Sequence, residues 1–309
     1  MISLNPKLEF FLENVLPKSP AGYQLNLELM RTRDNSVFAG LVEPVHQITD
    51  RVIPGPESDI PIRIYTPDGE GPFPIIVYFH GGGFVFGGLE SHDPVCRSIV
   101  NAAKQILVSV DYRLAPEHRF PAAPTDCFSA VNWVYEHAEE LNGDHSKISV
   151  AGDSAGGNLA AVVSQMARDK RGPRITKQLL LYPVVDAYEP GKYPSYEENG
   201  RGYFLTTDFM DLSCNTYIQN EEDRMNPYAA PIHANDFSEL PPALIITAEY
   251  DPLRDEGELY GEKLRAAGVE VTMKREEGFI HGFFNLFSSM NAKDDIKEVY
   301  ELIGSFLIK

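Results

Sequence analysis

Two kinds of hydrophobic pattern alternate along most of the chain. Short, nearly continuous apolar runs occur at Ile75–Phe79, Ile106–Val110, Ile148–Ala151, Leu179–Tyr182 and Ala243–Ala248. Such runs suit strands buried on both faces. Between them lie longer segments with apolar residues at helical spacing: 92–104, about 126–141, a helix running on from Ala155, about 256–267 and about 294–307. Val45–Ile53 and Ile60–Tyr65 instead alternate and are rich in β-branched residues, which predicts a strand pair turning near Gly55-Pro56. Val269–Lys274 reads as a last strand. Strand–helix alternation predicts an α/β fold: a mostly parallel eight-stranded sheet, helices on both faces, and an antiparallel pair at its start. Right-handed crossovers would leave the strands' C-terminal ends on one edge, where ligand sites form.

Two stretches break this rhythm. Residues 1–44 carry amphipathic helical patterns (Leu8, Phe11, Leu12, Val15, then Leu25, Leu29, Met30) interrupted by Pro17 and Pro20, too little to fold alone. Residues 186–225 are polar and Tyr-rich, with a helix expected near 208–219. The remaining 45–185 and 226–309 read as one core.

At 309 residues the chain is long enough for one large domain with a modest appendage. Its net charge of −18 repels phosphate backbones and anionic membranes, so nucleic acid is not an expected partner. Three widely spaced cysteines, Cys96, Cys127 and Cys214, give neither a disulfide framework nor a zinc pattern. No basic leader and no apolar stretch of membrane-span length is seen, and the expected location is the cytoplasm.

The chemistry centres on Gly152-Asp153-Ser154-Ala155-Gly156, a G-x-S-x-G between a strand and a helix. A serine there stands exposed at the sheet edge, and the Ala155 N–H points outward from the positive end of a helix. Serine needs a base, and the base needs a carboxylate to fix its tautomer. Of eight histidines only His233 and His281 follow Ser154, and His281 lies just past the last strand. Asp251, past Ala243–Ala248, is the natural acid, with Glu249 and Asp255 as rivals. Acyl transfer also needs fixed N–H donors for a developing oxyanion. His80-Gly81-Gly82-Gly83 follows a buried strand, as such a loop should, and no P-loop or dinucleotide fingerprint competes with it. Asp153 reads as a local structural group rather than a member of the triad.

Six blocks in order carry a resemblance: His80-Gly81-Gly82-Gly83-Phe84, Asp111-Tyr112-Arg113-Leu114-Ala115-Pro116-Glu117, Phe120-Pro121-Ala122, Gly152-Asp153-Ser154-Ala155-Gly156-Gly157, Asp251-Pro252-Leu253-Arg254-Asp255-Glu256-Gly257 and His281-Gly282-Phe283. From about Val45 onward the chain resembles the bacterial and archaeal esterase branch of the hormone-sensitive lipase family of α/β-hydrolases. The resemblance implies Ser154 as nucleophile, Asp251 as acid and His281 as base, with Gly82, Gly83 and Ala155 as oxyanion donors. It implies that residues 1–44 and 186–225 form a helical cap. It further implies a carboxylesterase for short- to medium-chain acyl esters, without metal or cofactor, in which Phe10, Phe11, Tyr193, Tyr196, Tyr203 and Phe204 line the acyl pocket or pack the cap. Pairing of two copies through the last strand is a further implication. Hydrolysis of another acyl bond (an aryl formamide, an acetylated sugar, an amide) and a non-catalytic small-molecule receptor on the same fold are the alternatives.

Overall fold

The computed structural model describes residues 3–15, 28, 31, 42–290 and 292–308. Eight strands form one sheet: β1 (Gln47–Ile53), β2 (Ile60–Thr66), β3 (Phe73–Phe79), β4 (Ile106–Val110), β5 (Gly143–Asp153), β6 (Ile175–Leu181), β7 (Ala243–Tyr250) and β8 (Val271–Ile280). Their spatial order is β1-β2-β4-β3-β5-β6-β7-β8. β2 runs antiparallel to both β1 and β4, and every other pair is parallel. This is the fold class expected from the sequence.

The helices among the described residues are α1 (Pro6–Phe10, continuing as a wider turn to Val15), α2 (Asp93–Ala103), α3 (Ala122–Glu136), α4 (Ala155–Asp169), α5 (Pro194–Asn199), α6 (Thr207–Tyr217), α7 (Arg254–Ala266), α8 (Phe283–Ser289) and α9 (Lys297–Ile308). Alternate residues of each central strand serve opposite layers. Ile75, Val77 and Phe79 of β3 join Val150, Leu159 and Val163 in one core, and Ile76 and Tyr78 join Ile99, Phe283 and Ile303 in the other. Each such aliphatic side chain, fully buried, contributes about 1.5–3 kcal/mol. No helix among the described residues is long and apolar enough to cross a membrane.

Several elements differ from the sequence expectation: β5 and β6 begin earlier, at Gly143 and Ile175, and the short α5 was not expected. α3 starts at Ala122 rather than near Asp126. Pro124 falls in its first turn, where the missing N–H costs nothing. α8 was not expected, because Phe283, Phe284, Leu286 and Phe287 are all buried and leave no polar face to set a period. β8 begins two residues later than expected and runs on to Ile280. Its charged stretch is an edge: Arg275 pairs with Glu258 and Lys274 with Glu276. The expected helices of residues 1–44 lie largely outside the described residues.

Candidate active site

Ser154 stands between β5 and α4 with φ 54° and ψ −117°, a conformation that costs a non-glycine residue about 1–3 kcal/mol. Packing enforces the bend. A Cβ on Gly156 would fall closer than 3.0 Å to the Phe79 carbonyl oxygen, and one on Gly152 equally close to the Gly156 carbonyl. The Ser154 N–H donates to the Leu181 carbonyl at 2.9 Å, and its carbonyl accepts from Val184 at 3.2 Å. The hydroxyl is left half-buried at the C-terminal edge of the sheet.

His281, just past β8, and Asp251, just past β7, reach the same edge. His281 Nδ1 lies 2.8 Å from Asp251 Oδ2, and His281 Nε2 lies 3.0 Å from Ser154 Oγ. Since an ionised carboxylate only accepts, Nδ1 donates to Asp251 and Nε2 faces the serine hydroxyl with its lone pair. Asp251 is fully buried. Its Oδ1 accepts the Leu253 N–H at 2.8 Å. The Tyr182 ring meets the imidazole edge to face at 4.9 Å.

The sequence rivals are placed elsewhere. Glu249 Oε2 accepts the Gly278 N–H at 2.7 Å. Asp255 accepts from the Ser195 N–H and pairs with Arg254, both at 2.8 Å. His233 Nε2 faces Asp186 Oδ1 at 2.8 Å. Of the three histidines weighed for chemistry, only His281 reaches Ser154; His80 is buried, stacks on Tyr112 at 4.2 Å and stays neutral, since burial first and the neighbouring His92 next lower it to about 3.

The glycine loop turns sharply, with φ of 119° at Gly82 and 60° at Gly83, and the Gly82 carbonyl accepts the N–H groups of Val85 and Phe86 at 3.1 Å. Among the described residues the N–H groups of Gly82, Gly83 and Ala155 have no protein acceptor. Beside Ser154 opens a narrow, mainly apolar cavity, walled by Gly83, Phe84, Val184, Leu205 and Leu253 and by the α6 face Phe209, Met210, Ser213, Cys214 and Tyr217. Glu256 and Asp186 border it; burial, the largest influence, pushes the Glu256 carboxyl up to about 8, whereas at Asp186 burial is outweighed by hydrogen bonds from Lys192 and Tyr193, which hold it below the usual carboxylate range.

Of the six aromatic residues expected to line the pocket or pack the cap, only Tyr196 borders this cavity. Tyr193 donates to Asp186 at 2.7 Å, Tyr203 stacks on Tyr250 at 5.0 Å, Phe204 meets Phe11 at 5.9 Å and Phe10 is exposed. The sequence reading missed the α6 residues that do line it, although their spacing carries a signal: 209, 213 and 217 with 210 and 214 form one helical face. The sequence reading also missed Asn199, whose amide donates to the Glu249 and Asp251 carbonyls, each at 3.2 Å. It thereby ties α5 to the loop carrying the acid. Among the described residues no cluster of three His, Cys, Asp or Glu is placed to hold a metal ion.

A family profile described as the α/β-hydrolase fold matches residues 76–285. The chain is 47% identical over 233 residues to carboxylesterase NlhH of Mycobacterium tuberculosis, covering 74% of this chain and 72% of that protein. It is 33% identical to an ethyl acetate hydrolase of Pseudomonas putida, covering 95% and 96% of the two chains. A solved hyperthermophilic esterase from Pyrobaculum calidifontis superposes with a TM-score of 0.91 at 41% identity, covering both chains completely.

Proposed function

Since the chain belongs to the α/β-hydrolase family and is a carboxylesterase, we propose that it cleaves short- to medium-chain acyl esters through an acyl-enzyme on Ser154. In this reading His281 is general base and then general acid, Asp251 holds its tautomer, and Gly82, Gly83 and Ala155 donate to the oxyanion. The observation that carries it is the hydrogen-bond chain Asp251–His281–Ser154, with links of 2.8 and 3.0 Å. Its six motif blocks favour the hormone-sensitive lipase branch.

Ser154 Oγ attacks the ester carbonyl carbon while its proton passes to His281 Nε2. The carbonyl oxygen becomes an anion facing the three unclaimed N–H groups, each donor being worth about 10²–10³ in rate. When the tetrahedral species collapses, the C–O bond to the alcohol breaks and His281 returns the proton to the leaving oxygen. Water then attacks the acyl-enzyme carbonyl, gives its proton to Nε2, and the acid departs as Ser154 regains its hydrogen. Asp251 stays ionised throughout and stabilises the imidazolium.

The 186–225 segment acts as a cap in this proposal: α6 walls the cavity, which we assign to the acyl group. The apolar walls suit an alkyl chain, and the Pseudomonas relative's name supports the short end of the range. In a series of p-nitrophenyl esters from acetate to decanoate, kcat/KM is expected to peak at a short to medium chain. Phe209→Ala is expected to move that peak by about two to four carbons, since each further buried methylene contributes about 0.8 kcal/mol. An unmoved peak would remove α6 from the acyl wall.

We also propose that two copies pair through β8. Among the described residues it is an edge strand of the sheet, paired only with β7. Light scattering is expected to give twice the 34.5 kDa of one chain. A single-chain mass at micromolar concentration would contradict it.

A further inference from the structure

The residue before the nucleophile makes a set of contacts that the triad does not use. The Asp153 side chain is buried and reaches the glycine loop. Its Oδ1 accepts the Gly81 N–H at 2.9 Å and the Tyr78 hydroxyl at 2.7 Å. Its Oδ2 faces His92 Nε2 at 3.4 Å. Gly81 runs so close to the carboxylate that a Cβ there would overlap Oδ2. Burial alone would raise this carboxyl, but the His92 ring and the hydrogen bonds from His92 and Tyr78 outweigh it and hold Asp153 below the usual carboxylate range. An anion is thus kept in the interior, bonded directly to the glycine loop that the proposed mechanism uses to stabilise the oxyanion, a placement that is costly in itself.

The geometry supplies the purpose. The oxyanion donors come from two separate pieces of chain. Ala155 is fixed to the nucleophile by sequence, whereas Gly82 and Gly83 belong to the loop after β3. The carboxylate accepts the Gly81 N–H, which His92 Nε2 shares at 3.2 Å, and the two glycines that follow, both at positive φ, keep their own N–H groups without a protein acceptor among the described residues. The far end of the loop is held independently, through Ala115 N–H to the Phe84 carbonyl at 2.9 Å and Arg31 Nε to the Val85 carbonyl at 2.7 Å. Resting on the triad and oxyanion reading above, we propose that Asp153 is the positioning residue of the oxyanion hole: its side chain bridges the nucleophile turn to Gly81, and so sets the distance between Ser154 and the donors of Gly82 and Gly83.

The test compares Asp153→Ala and Asp153→Asn with the wild type on p-nitrophenyl butyrate, together with inhibition by an alkyl trifluoromethyl ketone, whose serine adduct carries its charge in the oxyanion hole. Asp153→Ala is expected to lower kcat by about 10²-fold and weaken the ketone by the same factor, with KM held within about three-fold. Asp153→Asn keeps an acceptor for Gly81 and is expected to recover kcat to within about ten-fold of wild type. A folded Asp153→Ala with near wild-type kcat would overturn the proposal, as would one that loses kcat while ketone affinity is unchanged. Should Asp153→Ala fail to fold by circular dichroism, Tyr78→Phe, which removes one bond to Oδ1, is expected to weaken kcat and ketone binding together by about three- to ten-fold; no change in either would count against the proposal. Failure of the underlying triad reading shows separately, as persistent turnover by Ser154→Ala.

Discussion

Replacing Ser154 by alanine is expected to lower kcat on p-nitrophenyl butyrate by about 10⁶-fold, to a residue of about 10³–10⁴ over water. The size of the effect follows from what one oxygen does. In the proposed mechanism Ser154 Oγ is the attacking atom, the atom that carries the acyl group and the proton donor to His281 Nε2 3.0 Å away. The substitution leaves the donors of Gly82, Gly83 and Ala155 in place, and these account for the remainder. The fold should survive. Among the described residues Oγ bonds only His281, and the strained backbone at φ 54° is fixed by the close approach of Gly156 to Phe79, which alanine at 154 does not alter. A melting temperature within a few degrees of wild type, measured alongside the kinetics, separates lost chemistry from lost structure. Turnover within ten-fold of wild type would exclude Ser154 as the nucleophile.

Asp251→Asn is expected to lower kcat by about 10⁴-fold with KM little changed. An amide in this buried place has one acceptor oxygen, and Leu253 already donates to Asp251 Oδ1 at 2.8 Å. The amide nitrogen is then left facing His281 Nδ1. The imidazole responds by moving its proton to Nε2, where it opposes the serine hydroxyl instead of accepting from it. The neutral amide also removes the charge that stabilises the imidazolium. The rival carboxyls provide the control. Glu249→Gln retains an acceptor for the Gly278 N–H, and Asp255→Asn retains one for Ser195; both are expected to keep kcat within about ten-fold. Comparable losses in all three variants would mean that the loop needs its charges collectively, and that Asp251 has no special place.

The elements that position this site were legible because they are buried on both faces. Ile75–Phe79, Ile148–Ala151 and Ala243–Ala248 contain no position where a polar side chain could reach water, so their apolar runs announce strands directly. Gly156 and Ser154 were legible for a related reason, since the turn tolerates so few side chains that its composition is nearly dictated. The far half of β8 was hidden because an edge strand may carry Lys274, Arg275 and Glu277 outward while its backbone still pairs with β7. The cavity beside Ser154 was hidden because it is assembled across the fold, from Phe84 after β3, Val184 after β6, Leu253 before α7 and one face of α6. No local stretch encodes that meeting. Aromatic richness in 186–225 was a partial guide: Tyr193 and Tyr203 serve internal bonds and stacks, whereas Tyr196, Phe209 and Tyr217 border the cavity. Asp153 lies between these cases. Its structural role was readable from its place beside the nucleophile, but its partners Tyr78, Gly81 and His92 were not.

The central claim, that Ser154 is the activated nucleophile of this carboxylesterase, is tested most directly by peptide mass spectrometry after stoichiometric reaction with a p-nitrophenyl phosphonate. The expected result is one phosphonyl adduct on the peptide containing Ser154, formed in step with the loss of esterase activity and greatly slowed in His281→Ala. An adduct on a different serine, or full inactivation with Ser154 unmodified, would contradict it.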